Sequence, residues 1–170
     1  MTLSLVVQEL LAEMGKGKEH YNRLIQVLRS GQYGDPLPLL LPYLHDPDPY
    51  RSSIVLNALM RIDHARSLPF VLPLLNDPDW QYTICRWVAS LGGAEAIEPI
   101  IRVLHFGVDP GSRVMAVGAL ARIGDERAIV ALESALHHDD ELDSGGHSVS
   151  SVALDAIATI RSRMQSTAND

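Results

Sequence analysis

A pair of amphipathic helices recurs along this chain at intervals of roughly thirty residues, and this repeat limits the folds available to it. In the sharpest copy, Ser112 to Leu136, apolar residues follow one another at helical spacing as far as Ile123. Gly124-Asp125 then breaks the pattern, and a second apolar stripe begins at Ile129. One helical hairpin cannot bury its own apolar faces, whereas stacked copies can. The pattern therefore predicts an all-α stack of helix pairs.

Asp-Pro dipeptides mark the start of the first helix in three of the pairs, at Asp46-Pro47, Asp77-Pro78 and Asp109-Pro110. Aspartate can accept a hydrogen bond from a free N–H group at a helix start, and proline is tolerated in the first turn. Pro42 and Pro73 fall too late in the second helices for that role. We expect each of them to remove one hydrogen bond and to bend its helix.

The repeats predict a right-handed α-solenoid of about five stacked antiparallel helix pairs, the last one incomplete, in a single domain over 1–170. The first pair is expected to form an N-terminal cap over 1–34. Its first helix is capped by Thr2 or Ser4 and runs to about Met14, and its second runs from about Lys18 to Arg29, after Gly15-Lys16-Gly17. The remaining parts are core repeats over 35–137, an acidic glycine-containing loop over 138–147, a C-terminal capping helix over 148–163 and a flexible tail over 164–170.

The charge of the chain disfavours several classes of function. Its formal net charge is −7, whereas nucleic-acid binding needs a cationic face, so we expect no nucleic-acid partner and a protein partner that is basic or neutral. Cys85 is the single cysteine, which excludes an intrachain disulfide and favours a reducing compartment. No apolar stretch is long enough to span a bilayer. We therefore expect no membrane association and a cytoplasmic location.

Seven histidines invite a metal-site hypothesis. His45, His105 and His137 each follow the last leucine of a second helix, but stacked helices lie about 8–10 Å apart. Ligands of one zinc ion, at about 2.0–2.1 Å from the metal, cannot be so widely separated. A weak local site at 137–140 (His-His-Asp-Asp) stays open as an alternative. We expect no metal, no cofactor and no catalytic site, and a buried structural role for Cys85.

Five of the nine aromatic residues lie near the turns that lead from one pair to the next: Tyr43, Tyr50, Trp80, Tyr82 and Phe106. Stacking brings those turns into register along one edge, where aromatic side chains can anchor a partner or can seal the ends of the helix pairs. The candidate partner-binding residues at this edge are Trp80, Tyr82, Tyr50 and Phe106. Phe70, Glu98 and Arg102 are further candidates on the outward faces of the second helices. Glu98 and Arg102 are four residues apart and can also pair with each other.

The stretch from Arg113 to Ile129, and above all its turn Gly124-Asp125-x-Arg127-Ala128, resembles the HEAT-like repeat of the subtype associated with phycobilin lyases. The earlier turns, Asp63 to Arg66 and Gly92 to Glu95, keep only the pattern, and the resemblance covers about Asp35 to Arg163. It implies that the second helices line a concave inner surface. Such repeats occur in scaffolds, bilin lyase subunits, degradation factors and toxin-neutralising proteins, so a shared fold does not choose among these activities.

The sequence favours a non-catalytic protein-interaction module or scaffold that binds a partner through its concave face or its aromatic turn edge. Two alternatives stay open. One is a bilin lyase-like subunit that binds an open-chain tetrapyrrole and a phycobiliprotein, for which Glu98 near Phe70 would supply an acidic partner. The other is an immunity protein that neutralises a basic toxin, with which the net charge of −7 agrees.

Overall fold

The computed structural model of the protein describes residues 2–12, 18–136 and 140–168. Within these ranges the secondary structure is helical, with no strand, which confirms the all-α prediction. The α-helices are α1 (Leu3–Leu11), α2 (Lys18–Arg29), α3 (Leu37–Leu40), α4 (Pro49–Val71), α5 (Pro78–Leu91), α6 (Ile97–Phe106), α7 (Pro110–Ile123), α8 (Glu126–Ala135) and α9 (Val149–Ala168). Short 3-10 segments lie at Leu41–His45, Leu72–Asn76 and Ala94–Ala96.

Backbone contacts divide the chain into two compact units, Met1–Phe70 and Val71–Asp170. The prediction of one continuous domain therefore stays a prediction, as do the right-handed twist and the number of pairs. In the first unit, α1 packs against α2 and α3. Of the two candidate caps, Thr2 and Ser4, Thr2 caps α1, because its hydroxyl accepts a hydrogen bond from the Leu5 amide at 3.4 Å.

The second unit has two layers of helices. In one layer α7 packs against both α5 and α9, and in the other α6 packs against α8 and the 3-10 segment Leu72–Asn76. Contacts of α6 with α7, and of α8 with α9, join the layers. The side chains between them are aliphatic, and Ile84, Val88, Ile100, Leu120 and Leu132 are fully buried. This arrangement brings successive turns of the second unit side by side.

Two of the three Asp-Pro turns have the predicted geometry. Asp77 accepts from the Asp79 amide at 3.1 Å, Asp109 accepts from the Ser112 amide at 2.7 Å, and Pro78 and Pro110 begin α5 and α7. The third prediction, a helix start at Asp46-Pro47, is wrong by two residues. Helix α4 begins at Pro49, and Asp48 accepts from the Tyr50 amide at 3.0 Å. The sequence repeats Asp-Pro there, and Pro49 disfavours helical geometry at the residue before it.

The late prolines act differently from the prediction. Pro42 and Pro73 lie at the start of 3-10 segments, so the α-helical hydrogen bonding gives way to 3-10 winding instead of continuing through a bend. The turn predicted at Asp63 interrupts α4, where φ is −155° and ψ is 87°. The Asp63 carboxylate accepts from the Arg66 amide at 3.1 Å and so begins the helix again.

The predicted ends of the terminal elements need correction. Helix α9 continues to Ala168, beyond the predicted end at Arg163, because the sequence that follows contains neither glycine nor proline to stop it. Helix α1 ends at Leu11 and not near Met14. Met14 and the predicted stop at Gly15-Lys16-Gly17 lie outside the described residues, as do His137, the last residue of the predicted core repeats, and His138 and Asp139 of the acidic loop.

None of the helices in the described part of the chain combines the length and the apolar character that crossing a bilayer requires.

Candidate functional site

In α5 and α7 of the second unit, a buried polar residue four positions after the capping aspartate forms a hydrogen bond to the preceding turn. Gln81 and Arg113 hold these places in α5 and α7, and both are at least nine-tenths buried. Gln81 Nε2 donates to the Leu75 carbonyl at 3.0 Å, and Arg113 Nη1 donates to the Gly107 carbonyl at 2.8 Å. Each side chain therefore reaches back six residues to satisfy a carbonyl at the end of the preceding segment.

Arg113 also connects its own turn to the next one. Its Nη1 reaches the Val108 carbonyl at 3.3 Å, and its Nη2 donates to Glu141 Oε2 at 2.7 Å. Charge-assisted hydrogen bonds of this kind are among the stronger contacts that a side chain makes. The turn at 106–110 and the loop that contains Glu141 are thus held together by one buried guanidinium.

Gly107 lets the turn at 106–110 lie close to these side chains. A Cβ atom built on it would lie 2.6 Å from the Val103 carbonyl oxygen, 3.1 Å from Arg113 Cγ and 3.2 Å from Gln81 Oε1. No side chain fits in this space without moving the backbone. The residues on either side of Gly107 are turned outward.

Those two residues form an exposed apolar ridge, which we call the Phe106 ridge and which consists of Phe106 and Val108. Phe106 is 79% exposed and Val108 is 75% exposed. Tyr82, 44% exposed, lies nearby at the start of α5, where its ring approaches Gly111 of α7. Burying one such side chain against a partner is favourable by about 1.5–3 kcal/mol.

A cleft lies on each side of the Phe106 ridge. Cleft A, of about 560 Å³, is lined by Phe106 together with Arg113, Asp140 and Glu141. Cleft B, of about 300 Å³, also has Phe106 in its wall, with Val108 beside it. The rest of cleft B is mainly apolar and includes Leu75, Pro78, Pro99 and Val103, with Arg102 as its one cation among the described residues.

The loop beside cleft A is ordered by Asp143. One of its carboxylate oxygens accepts from the Gly145 amide at 2.8 Å and from the His147 amide at 2.9 Å, and the Asp143 amide donates to the His147 carbonyl at 2.7 Å. These hydrogen bonds, led by the one from His147, lower the pKa of Asp143. The part of the predicted acidic loop that the structure describes, 140–147, is therefore a closed turn.

The structure brings together only some of the predicted partner-binding residues. Phe106 and Arg102 share cleft B, and Trp80 and Tyr82 lie in the first turns of α5 in the same unit, with Trp80 largely buried. Tyr50 and Phe70 belong to the first unit, where they are 46% and 51% exposed. Their part in a common site with the others stays a prediction.

Glu98 pairs with a different arginine from the one expected. Its carboxylate accepts from Arg127 Nη1 at 2.8 Å, and among the described residues no ion pair joins it to Arg102. Arg127 also binds the Asp125 carboxylate through Nε and Nη2, and this bonding lowers the pKa of Asp125. Asp125 and Arg127 belong to the turn Gly124-Asp125-x-Arg127-Ala128 that resembles the HEAT-like repeat. Through Glu98 they connect the start of α8 to the start of α6, which gives this turn a structural role.

An equivalent bridge lies in the first unit. Arg66 Nη2 donates to Asp35 Oδ2 at 2.6 Å, and Arg66 Nη1 lies 3.9 Å from Asp63 Oδ2. The hydrogen bond from Arg66 lowers the pKa of Asp35. Both bridges span about thirty residues of sequence, which is one repeat. The turn between these two bridges has Glu95 at the position of the bridging arginine, so it cannot form the same ion pair. Its backbone contains Gly92 and Gly93, whose φ values of 90° and 126° favour glycine.

Sequence reasoning missed Arg113, Val108 and the carboxylates of cleft A. Arg113 could have been found from a shared signal, since Ser52, Gln81 and Arg113 all follow a capping aspartate by four residues, on the helix face that is buried. Val108 lies in a turn between Gly107 and Asp109, so no helical periodicity indicates whether its side chain is exposed. Asp140 and Glu141 were assigned to a loop whose position depends on packing.

The structure describes two kinds of group that the sequence raised as reactive, the Cys85 thiol and possible metal ligands. Cys85 is fully buried, as expected, and burial raises the pKa of its thiol to about 12, which keeps it protonated and unreactive. Within 2–12, 18–136 and 140–168 no group of His, Cys, Asp or Glu side chains is placed to hold a metal ion. The alternative metal site at 137–140 falls largely outside these ranges.

Comparison with protein families matches residues 76–144 to HEAT repeats, a segment that contains α5 to α8. No curated protein and no solved structure matches the chain. The match lies within the second unit and leaves out α9, and it includes the Phe106 ridge. Over residues 76–144 the chain is thus similar to HEAT repeats, and the two helical layers agree with that similarity.

Proposed function

We propose that this protein is a non-catalytic interaction module that binds a partner protein through the turn edge of its second unit, with the Phe106 ridge at the centre. The observation that carries the proposal is the 79% exposure of Phe106 between two clefts. HEAT repeats are commonly protein-interaction scaffolds. An aromatic side chain between clefts is also the kind of anchor that contributes most to interfaces.

The partner in this proposal is a basic or neutral protein, because the chain has a formal net charge of −7. The same charge disfavours nucleic acid as a partner. We place the protein in the cytoplasm, since its one cysteine cannot form an intrachain disulfide.

Of the two alternatives, the bilin-binding one loses support. It required Glu98 as an acidic partner for pyrrole nitrogens, but this carboxylate is already bonded to Arg127. Mixing the protein with a bilin and recording the absorbance spectrum tests that alternative directly. The toxin-neutralising alternative is a special case of the proposal, in which the basic partner is a toxin.

Affinity capture with variants of matched exposure tests the proposal. The tagged protein, Phe106→Ser and Leu154→Ser are each used to capture partners from the source cell, and the captured proteins are compared. Leu154 is 64% exposed on α9 and lines neither cleft, so it controls for the loss of an exposed apolar side chain. We expect Phe106→Ser to lose a partner that Leu154→Ser keeps, with both variants melting near the original temperature.

Equal capture by all three proteins would contradict the proposal. Cross-linking the partner to a photoreactive group placed at Val108, which is 75% exposed, then provides an independent measure of proximity to the ridge.

A further inference from the structure

The two clefts beside the Phe106 ridge differ in electrostatic character. Cleft A contains the carboxylates of Asp140 and Glu141, the guanidinium of Arg113 and the imidazole of His105, which the formal charge counts as neutral. Two negative groups against one positive group leave one net negative charge, and the Arg113 charge is already engaged with Glu141 at 2.7 Å. Asp140 is exposed and takes part in no ion pair with any other described residue. Cleft A therefore favours a cation.

Cleft B is more apolar. Its wall is formed mainly by leucine, proline and valine side chains, and Arg102, exposed on α6, provides a positive charge. An aliphatic or aromatic side chain would displace water from these apolar walls. The cavity of about 300 Å³ limits the occupant to one or two side chains.

We infer that the ridge is straddled by a segment of the partner protein that places a lysine or arginine in cleft A and an apolar side chain in cleft B. This inference rests on the proposed function and specifies the chemistry of its partner. Phe106 lines both clefts, so its ring contributes to both contacts. The methylene stem of the basic residue packs on the ring while its charged end reaches Asp140 and Glu141.

Charges around the ridge favour the same occupant. Asp77 and Asp79 flank Pro78 of cleft B, Asp109 follows Val108 of the ridge, and all three aspartates are exposed. The Asp77 and Asp109 carboxylates accept hydrogen bonds from the amides at the starts of α5 and α7. A basic segment is therefore attracted to this edge before it makes contact, and more strongly at low ionic strength.

Peptides provide a probe that does not require the natural partner. Two series of synthetic peptides on a Gly/Ser background carry leucine and arginine, or leucine and glutamate, with the spacing between the two residues varied. The full chain, labelled with ¹⁵N, is titrated with each peptide, and the amide shifts of Phe106, Gly107 and Glu141 are followed. We expect the best leucine–arginine peptide to bind about three- to tenfold more tightly than its glutamate counterpart, the ratio expected when an attractive exposed charge pair becomes a repulsive one.

Variants assign the preference to each cleft. Asp140→Lys should abolish or reverse the preference for arginine, whereas Asp155→Lys, the same charge change at an exposed position of α9, should leave it unchanged. Val108→Ser should weaken binding of both series, because it removes apolar surface from cleft B, and Leu154→Ser should not.

The possible failures are distinguishable. If the arginine and glutamate series shift the three amides with equal affinity, or if the arginine preference survives in Asp140→Lys, the inference is wrong and the proposed surface stands. If no peptide of either series shifts these amides, both the inference and the proposed surface are contradicted.

Discussion

Gly124 offers a sharp test of the packing in the second unit. Its φ is −62°, which alanine adopts without strain, so the backbone conformation gives no reason for a glycine. The lack of space around Gly124 gives the reason for a glycine. A built Cβ would lie 2.5 Å from the Leu120 carbonyl oxygen, 2.6 Å from Ala128 Cβ and 3.0 Å from Ile160 Cδ1. Two of these atoms are backbone or are attached directly to it, so they cannot move by rotating a side chain.

The expected cost of Gly124→Ala follows from this crowding. Overpacking a core costs about 1–3 kcal/mol, and immobile neighbours place this case at about 3 kcal/mol. Alanine also restricts the unfolded chain, which offsets about 0.4–1 kcal/mol. We therefore expect a net destabilisation of about 2 kcal/mol, or a fall in Tm of about 4–8 °C for a chain of this size.

Gly118 is the matched control in the same helix. It is exposed in the middle of α7, and a built Cβ meets no atom within 4 Å. Gly118→Ala should therefore stabilise α7 by about 0.5–1 kcal/mol and raise Tm by about 1–4 °C. Thermal unfolding followed by circular dichroism measures both variants. If they shift Tm in the same direction, or if Gly124→Ala is as stable as the original protein, the close contact of α7 with α8 and α9 is wrong.

Three further predictions follow from single side chains. Cys85 should react with a thiol reagent in mildly alkaline solution only as the protein unfolds, because burial raises its pKa to about 12, and equal rates for native and denatured protein would contradict this. Arg113→Met should lower the free energy of unfolding by about 2–3 kcal/mol and speed hydrogen exchange in the loop around Glu141, since carbonyls at 107 and 108 lose a charged donor; unchanged exchange there would exclude the link. In Arg127→Gln, an NMR titration should show the Asp125 pKa rising toward its ordinary value. The Asp125 contribution to stability is present above the unfolded-state pKa and lost as pH falls through the lower folded-state pKa. It should become smaller in this variant, because only the backbone hydrogen bonds to Asp125 remain.

Local signals in the sequence predicted the helices well. Thr2, Asp77 and Asp109 cap the helices that their patterns indicated, because a cap depends on residues within one turn of it. The errors occurred where two local signals competed. The repeated Asp-Pro before α4 offered two starting points, and only the steric effect of Pro49 selects the second.

The candidate site was predictable only in part. Phe106 was expected at an exposed edge, since it follows the last turn of a helix and precedes a capping aspartate. The clefts beside it depend on how α6, α7 and the loop at 140–147 pack, and no spacing in a single sequence reports that packing. For the same reason the bond between Glu98 and Arg127, which are 29 residues apart, could not be distinguished from a local pair with Arg102.

The turn at 106–110 contains positions that tolerate substitution beside one that does not. Gly107 has no room for any side chain, whereas Phe106 and Val108 on either side of it point into open solvent. Outward residues can thus be exchanged without disturbing the helices beneath them, as in the loops of a binding scaffold. A library randomised at these two positions, with the glycine retained, should yield folded proteins that select new targets.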